Sequence, residues 1–187
     1  TMKAVVVIIV PTHVGVYRRK AVARPTLQPL RDRLRRLIGD SGATFSDDDL
    51  DAILDRWATP MSSLPLVPVW EGVGVRTARR WHLPLPPWET DAVVHDGHEP
   101  VTVRAVDWVA GWVEVDPRSA PLYVDGRSYD LAGAAADALE EWAARLSRAY
   151  DVSSDGQSLA RSQQARALLA AAQQFRTQQR PRVGLLA

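Results

Sequence analysis

The distribution of prolines most strongly limits what this chain of 187 residues can fold into. Nine of the 13 prolines lie between Pro60 and Pro121, where each one fixes φ and removes a backbone N–H donor. Residues 61–126 are therefore expected to form short strands instead of long helices. On either side, residues 26–60 and 127–178 repeat apolar side chains at three- and four-residue spacing, which predicts helices.

Residues 127–178 are predicted to form a long helical hairpin. The first helix begins near Tyr129, and one face of it is apolar, formed by Leu131, Ala135, Ala138, Leu139, Trp142, Leu146 and Ala149. Residues 150–156 contain two serines and an Asp-Gly pair, which favour a tight turn. Ser158 can cap the second helix, whose apolar positions are Ala165, Leu168, Leu169, Ala172 and Phe175. We expect the rest of the chain to pack onto this antiparallel pair.

Residues 26–60 are predicted to form a shorter helical hairpin. Thr26 is the candidate cap of its first helix and Gly39 the expected end, and the apolar face consists of Leu27, Leu30, Leu34, Leu37 and Ile38. The segment Ser46–Asp49 has the pattern of a capping box, and its acids complement the dipole of a second helix. That helix has one apolar stripe, formed by Leu50, Ile53, Leu54 and Trp57, and ends before Thr59-Pro60.

The strands expected in residues 61–126 are Val73–Trp81, Val101–Val106, Gly111–Val115 and Leu122–Val124. Asp107–Ala110 is the expected hairpin connection. Six of the seven tryptophans lie at or inside this region, which suits either the core of a small sheet or a contact surface. We therefore expect an α+β fold that is mainly an α-helical bundle of two helical hairpins, with an inserted small β-sheet domain and extended termini.

Both ends of the chain are predicted to be extended. Residues 1–25 contain a β-branched run, Ala4–Val10, that favours a buried or partner-paired strand, and then a basic arm with Arg18, Arg19 and Lys20. Residues 179–187 leave the helical pattern, and their apolar side chains could add a strand to the sheet edge of a partner. We expect residues 179–187 to be a docking tail.

Composition excludes several classes of function. The chain has no cysteine, so disulfides, thiolate nucleophiles and cysteine-ligated zinc are excluded. The apolar run Ala4–Val10 is far shorter than the roughly 20 residues that span a bilayer, so no membrane partner is expected. The sequence also has no Gly-rich phosphate loop and no Gly-x-Ser-x-Gly elbow, so these two enzyme signatures are missing.

One short segment could in principle hold a metal. His95, Asp96 and His98 place two imidazoles and a carboxylate within four residues, which would permit a divalent ion and a metal-dependent enzyme. The alternative is an exposed turn that binds no metal, because Asp-Gly at 96–97 is a common turn pair. The acids of residues 47–51 are explained by helix capping and need no cation.

Charge is distributed unevenly although the net charge is only +1. Nine bases and one acid lie between Lys3 and Arg36, six acids and no base lie between Asp40 and Asp55, and only arginines carry charge after Asp155. The basic blocks could contact the phosphates of a nucleic acid or an acidic protein surface. A nucleic-acid-binding module that uses the N-terminal arm and the C-terminal arginines is therefore an alternative function.

Two pieces of the sequence resemble the head-tail adaptor, or connector, proteins of tailed bacteriophages. The first is Leu34–Asp40 with Thr44–Leu50, and the second runs from Tyr129–Ala132 through Arg161–Gln163. The resemblance covers residues 30–58 and 127–178. In small adaptors the second hairpin can follow the first almost directly. This chain has three additional segments, which are residues 61–126, the N-terminal strand and the basic arm.

The resemblance implies a structural protein of the virion neck, made in the host cytoplasm, with no catalytic residue, cofactor or metal. It implies a homo-oligomeric ring, usually of twelve subunits in that family, between the portal protein and the next neck or tail-completion protein. DNA would pass through the lumen without sequence-specific contacts. The candidate residues for binding the portal or neighbouring subunits are Arg176, Arg180, Arg182, Val183, Leu185, Leu186, Arg18, Arg19 and Lys20.

Overall fold

Four α-helices and seven strands form the part of the chain that the computed structural model describes, which is residues 23–72, 76–119, 121–150 and 158–181. The helices are α1 (Gln28–Ile38), α2 (Asp47–Arg56), α3 (Leu131–Tyr150) and α4 (Ser158–Gln178). The strands are β1 (Ala58–Pro65), β2 (Val67–Val69), β3 (Ala78–His82), β4 (Val93–His95), β5 (Val103–Asp107), β6 (Trp112–Arg118) and β7 (Tyr123–Tyr129).

The prediction of mainly a helical bundle with a small inserted sheet is wrong. The fold is α+β, but the strands form two antiparallel sheets, in the orders β1-β7-β4 and β2-β3-β6-β5. Strand β1 was missed because its sequence, Ala-Thr-Pro-Met-Ser-Ser-Leu-Pro, has no alternation of apolar and polar residues. Its pairing partner is β7, with Ala58 opposite Tyr129. Because these two residues are far apart along the chain, local sequence patterns do not reveal that the strands pair.

The four predicted helices are present, but Thr26 does not cap α1: it lies in a 3₁₀ turn, Pro25–Leu27, and its hydroxyl donates to Glu89. Gly39 ends α1 in the left-handed conformation, at φ 70°, and Ser46 and Asp49 form the capping box of α2 in both directions. Helices α1 and α2 both pack on α3, and α4 lies antiparallel on the same helix. Their shared core includes Leu30, Leu34, Leu50, Leu54, Tyr129 and Leu139. The predicted turn at 151–157 lies outside the described residues.

The sheets have a hydrophobic core of their own. Trp81 and Trp88 are completely buried there, together with Val113, Leu122 and Val124. Of the strands expected from sequence, β5, β6 and β7 are present with shifted ends, and β3 begins only at Ala78. Asp107–Ala110 is the connection of a hairpin, as predicted, because the Gly111 N–H donates to the Asp107 carbonyl. The β region is therefore a second packed unit and not a small insertion.

Candidate docking surfaces

The N-terminal segment leaves the described fold from a fixed point, Arg24. Its backbone N–H donates to Asp51 Oδ2 at 2.9 Å, and its guanidinium forms an ion pair with Asp55. A second carboxylate, Glu89, lies 4.0 Å from Arg24 Nη1. The predicted N-terminal residues Arg18, Arg19 and Lys20 lie outside the described residues.

Glu89 connects the helices to the sheets. Its side chain is completely buried and accepts hydrogen bonds of 2.6 Å from the hydroxyls of Thr26 and Tyr129. Arg127 Nε lies 2.9 Å from the same carboxylate. Burial alone would raise the pKa of Glu89, but the bonds from Thr26 and Tyr129 and the nearby arginines outweigh it and lower that pKa. The carboxylate is therefore ionised and bonded on both oxygens.

The C-terminal end of α4 is anchored by Arg176. Its Nη2 lies 2.7 Å from Asp137 Oδ1 and 2.8 Å from Glu140 Oε2 on α3. The guanidinium also lies over the ring of Trp57, 5.6 Å from its centroid. The hydrogen bond with Glu140 is the main cause of a raised pKa of Arg176. This predicted binding residue is therefore already engaged by side chains of its own chain.

Arg180, a second predicted binding residue, is also held within the chain. Its backbone N–H donates to Asp130 Oδ2 at 2.8 Å, and its Nη1 donates to Ser128 Oγ at 2.8 Å. Its Nη2 donates to the Pro86 carbonyl. Burial lowers the pKa of Arg180. The chain leaves the described fold one residue later, at Pro181, and the remaining predicted tail residues, Arg182, Val183, Leu185 and Leu186, lie outside the described residues.

An open groove lies beside this exit point. It has a volume of about 450 Å³, and its apolar lining includes Leu37 from α1, Val109 from the β5–β6 turn, Leu131 from α3 and Phe175 from α4. Arg33 and Asp107 place one charge of each sign on its lining. Sequence reasoning missed this groove because its lining comes from elements that are distant along the chain.

Helix α4 presents an outer face without negative charge. Its 21 residues contain no Asp or Glu, and it packs mainly on α3. The exposed positions Arg166, Leu169, Ala170 and Gln173 follow one another at helical spacing, and Leu169 is 47% exposed. This face therefore combines an exposed leucine with an absence of acidic side chains.

Part of the uneven charge distribution is explained by ion pairs within the first helical hairpin. Arg31, which is only 2% exposed, bonds to Asp51 at 2.8 Å, and Arg35 lies 2.9 Å from Asp40. Arg24, Arg31 and Arg35 of the basic block are therefore paired with acids of the acidic block across the hairpin. Within the described ranges, six arginines are exposed and have no ion-pair partner: Arg33, Arg36, Arg76, Arg79, Arg148 and Arg166. In the sequence, a basic block and an acidic block on either side of one turn indicate that such ion pairs can form.

The candidate metal ligands lie in a turn. Asp96 Oδ1 accepts from the backbone N–H groups of His98 and Glu99, each at 3.1 Å, and these bonds lower the pKa of Asp96. The His95 ring instead stacks on Tyr123, with 5.6 Å between centroids. No group of three His, Cys, Asp or Glu side chains suited to a metal occurs among the described residues. Asp96 therefore stabilises this turn through hydrogen bonds to its backbone.

Comparisons with protein-family models, with curated proteins and with solved structures return no match to this chain. Among the described helices, none is both long and apolar enough to cross a membrane.

Proposed function

We propose that the protein is a head-tail adaptor of a tailed bacteriophage, a structural ring subunit at the virion neck. The observation that carries the proposal is the outer face of α4, which exposes Leu169 and contains no acid. A face of this kind is suited to a neighbouring copy in a ring. When each subunit contacts the next through two different surfaces, the assembly closes into a ring if the rotation from subunit to subunit adds up to a full turn without translation.

The two helical hairpins on which the family resemblance rests support the same proposal. Helices α1 and α2 and helices α3 and α4 occur as antiparallel pairs at the expected positions. In the proposed function the outer face of α4 meets the next subunit, and the tail after Pro181 docks into the portal protein. The anchoring of Arg180 by Asp130 and Ser128 supports the second part, because it fixes where the tail begins.

The tail experiment uses the full chain and a matched substitution. We would replace Val183, Leu185 and Leu186 together by serine and measure binding to purified portal rings from the same phage by co-sedimentation. Burial of one aliphatic side chain contributes about 1.5–3 kcal/mol, so the triple variant should bind at least about tenfold more weakly. The control is Gly184→Ser, which changes the same segment without removing an apolar side chain. Undiminished binding by the triple variant would contradict tail docking.

The alternative is a nucleic-acid-binding module, and it is favoured by the exposed arginines Arg33, Arg36 and Arg166. Because Arg24, Arg31 and Arg35 are paired with acids, fewer bases remain for phosphates than the sequence suggests. A gel-shift titration with a short DNA duplex at several salt concentrations separates the functions. Tight binding that weakens steeply with salt would support the alternative. Weak binding at every salt concentration would support the adaptor.

A further inference from the structure

The loop between β3 and β4 places a leucine in a backbone conformation that favours glycine. Leu85 has a φ of 51°, in the left-handed region, where the Cβ atom of an ordinary residue crowds the following carbonyl oxygen. It is 45% exposed and belongs to neither hydrophobic core. The backbone strain of Leu85 is therefore not offset by core packing, and strain of this kind concentrates at functional sites.

Hydrogen bonds fix both ends of this loop. The Pro84 carbonyl accepts from Trp88 Nε1 at 2.7 Å, and the Pro87 carbonyl accepts from the Tyr129 N–H at 2.9 Å. Trp88 and Tyr129 are completely buried, so neither donor can move without disturbing a packed core. The two ends of the loop therefore hold Leu85 at a fixed place on the surface.

The middle of the loop is bonded to the C-terminal end of the described fold. Ser128 Oγ donates to the Leu85 carbonyl and accepts from Arg180 Nη1 at 2.8 Å. Arg180 Nη2 also donates to the Pro86 carbonyl. Because Asp130 Oδ2 accepts from the backbone N–H of Arg180, this arginine fixes both the exposed loop and the point at which the chain leaves the described fold.

The apolar groove beside this exit point shares its lining with the loop. Pro87, which lies two residues after Leu85, belongs to the lining. Gln178, the last residue of α4, also belongs to it and lies two residues before Arg180. The exposed leucine, the groove and the exit point are therefore neighbours on one surface of the protein.

We propose that Leu85 is a rigid apolar anchor for the portal protein, which contacts this surface beside the exit point of the tail. The inference rests on the proposed function, in which the portal binds the tail. A side chain whose backbone is fixed before binding loses less conformational entropy when a partner buries it. The part of the portal that fits Leu85 is an uncharged, apolar pocket of the size of one leucine side chain.

Leu85→Asn tests the anchor in the full chain, by co-sedimentation with purified portal rings from the same phage. Asparagine adopts the left-handed region more readily than leucine, so the loop should keep its conformation and lose only the apolar side chain. Because the variant no longer buries the exposed part of a leucine, its binding should be at least about fivefold weaker. The matched control is Val93→Asn in β4, which changes a residue that is also 45% exposed and should bind like the wild type.

Urea denaturation separates the loss of binding from a loss of folding. Leu85→Asn and Leu85→Gly both relieve the left-handed strain, so each variant should unfold at a urea concentration no lower than that of the wild type. Weaker portal binding by a chain of undiminished stability supports the anchor. If both variants unfold at clearly lower urea concentrations, Leu85 stabilises its own fold instead, and the proposal is overturned.

A photoreactive phenylalanine analogue in place of Leu85 identifies the partner directly. Illumination of the complex with portal rings should cross-link position 85 to the portal subunit, whereas the same analogue in place of Val93 should give no such product. Cross-links that join only copies of this chain would overturn the assignment to the portal.

The failure of this inference can be distinguished from the failure of the proposed function. If the wild-type chain does not bind portal rings, the proposed function fails and the contact of Leu85 fails with it. If the wild type binds and the triple variant of the tail binds weakly, equal binding by Leu85→Asn and the wild type overturns the anchor alone.

Discussion

The hydroxyl of Tyr129 donates a 2.6 Å hydrogen bond to Glu89 Oε2, and both side chains are completely buried. Tyr129 is the last residue of β7, and the next residue, Asp130, accepts from the N–H groups of Ala132 and Gly133 at the start of α3. Glu89 also binds Thr26, just before α1. This single carboxylate therefore fixes the two helical hairpins relative to the sheets.

Glu89→Gln should destabilise the protein more than Tyr129→Phe. The glutamine variant replaces a buried carboxylate, which accepts hydrogen bonds from Thr26 and Tyr129 and pairs with Arg127, by an amide with only one acceptor oxygen, and should cost about 2–4 kcal/mol of unfolding free energy. The phenylalanine variant removes one hydroxyl, and we expect about 1–2 kcal/mol. Urea denaturation measures both. The control Glu99→Gln, in the exposed turn, should stay near wild type, and equal losses at positions 89 and 99 would contradict the connecting role.

Stability should fall in acid through Glu89. Although burial opposes ionisation, the hydrogen bonds from Thr26 and Tyr129 and the charges of Arg127 and Arg24 lower the pKa of Glu89 in the folded state. Its stabilising contribution is therefore complete above the unfolded-state pKa, about 4.3, and is lost as the pH falls through the lower folded-state pKa.

The measurement is the difference in urea stability between wild type and Glu89→Gln at a series of pH values. The difference should be constant near neutral pH and should shrink below about pH 4.3. If the difference in stability stays the same down to the pH at which the protein unfolds, the pKa of Glu89 in the folded state is not lowered.

Gly133→Ala should destabilise the packing of α3 although alanine is the better helix former. A Cβ atom at position 133 would overlap the ring of Trp57, well inside van der Waals contact. We expect a loss of about 1–3 kcal/mol from this overlap. In a Trp57→Ala background the same change should instead stabilise by up to about 1 kcal/mol, since the overlap is gone and helix propensity remains. A loss of the same size in both backgrounds would refute the steric explanation.

Arg176→Ala should lower the stability of the isolated chain. The variant loses two ion pairs to α3 and a contact over Trp57, all partly shielded from solvent, so we expect about 1–2 kcal/mol. Arg166→Ala is the matched control on the exposed face of α4 and should have little effect. Thermal unfolding of both variants compares them. If Arg176→Ala unfolds like wild type, this arginine is available for a partner instead.

Local features could be predicted from the sequence, and pairings between distant segments could not. Ser46 and Asp49 are three residues apart, so the cap of α2 was visible, as was Gly39 at the end of α1. The pairing of β1 with β7 brings Ala58 to Tyr129, and neither strand alternates regularly between apolar and polar residues. The burial of Glu89 depends on contacts with residues 26, 127 and 129, which no local pattern contains.

The candidate site was predictable only in part for the same reason. The tail was noticed because it leaves the helical pattern, but the commitment of Arg176 and Arg180 to contacts within the chain depends on Asp137, Glu140 and Ser128. Some of the charges that suggested an external partner are paired inside the first hairpin, for example Arg31 with Asp51. The exposed face of α4 could be noticed from its lack of acids.

Ring formation by this subunit on a portal can be tested by measuring the mass of the complex. Light-scattering mass measurements of portal rings are made before and after saturation with the full chain and with Leu169→Asp, which charges the outer face of α4. We expect the wild-type chain to add roughly twelve times its 20.6 kDa mass to each portal ring, and Leu169→Asp to add far less. A portal mass that does not change with the wild-type chain, or equal additions by both proteins, would contradict it.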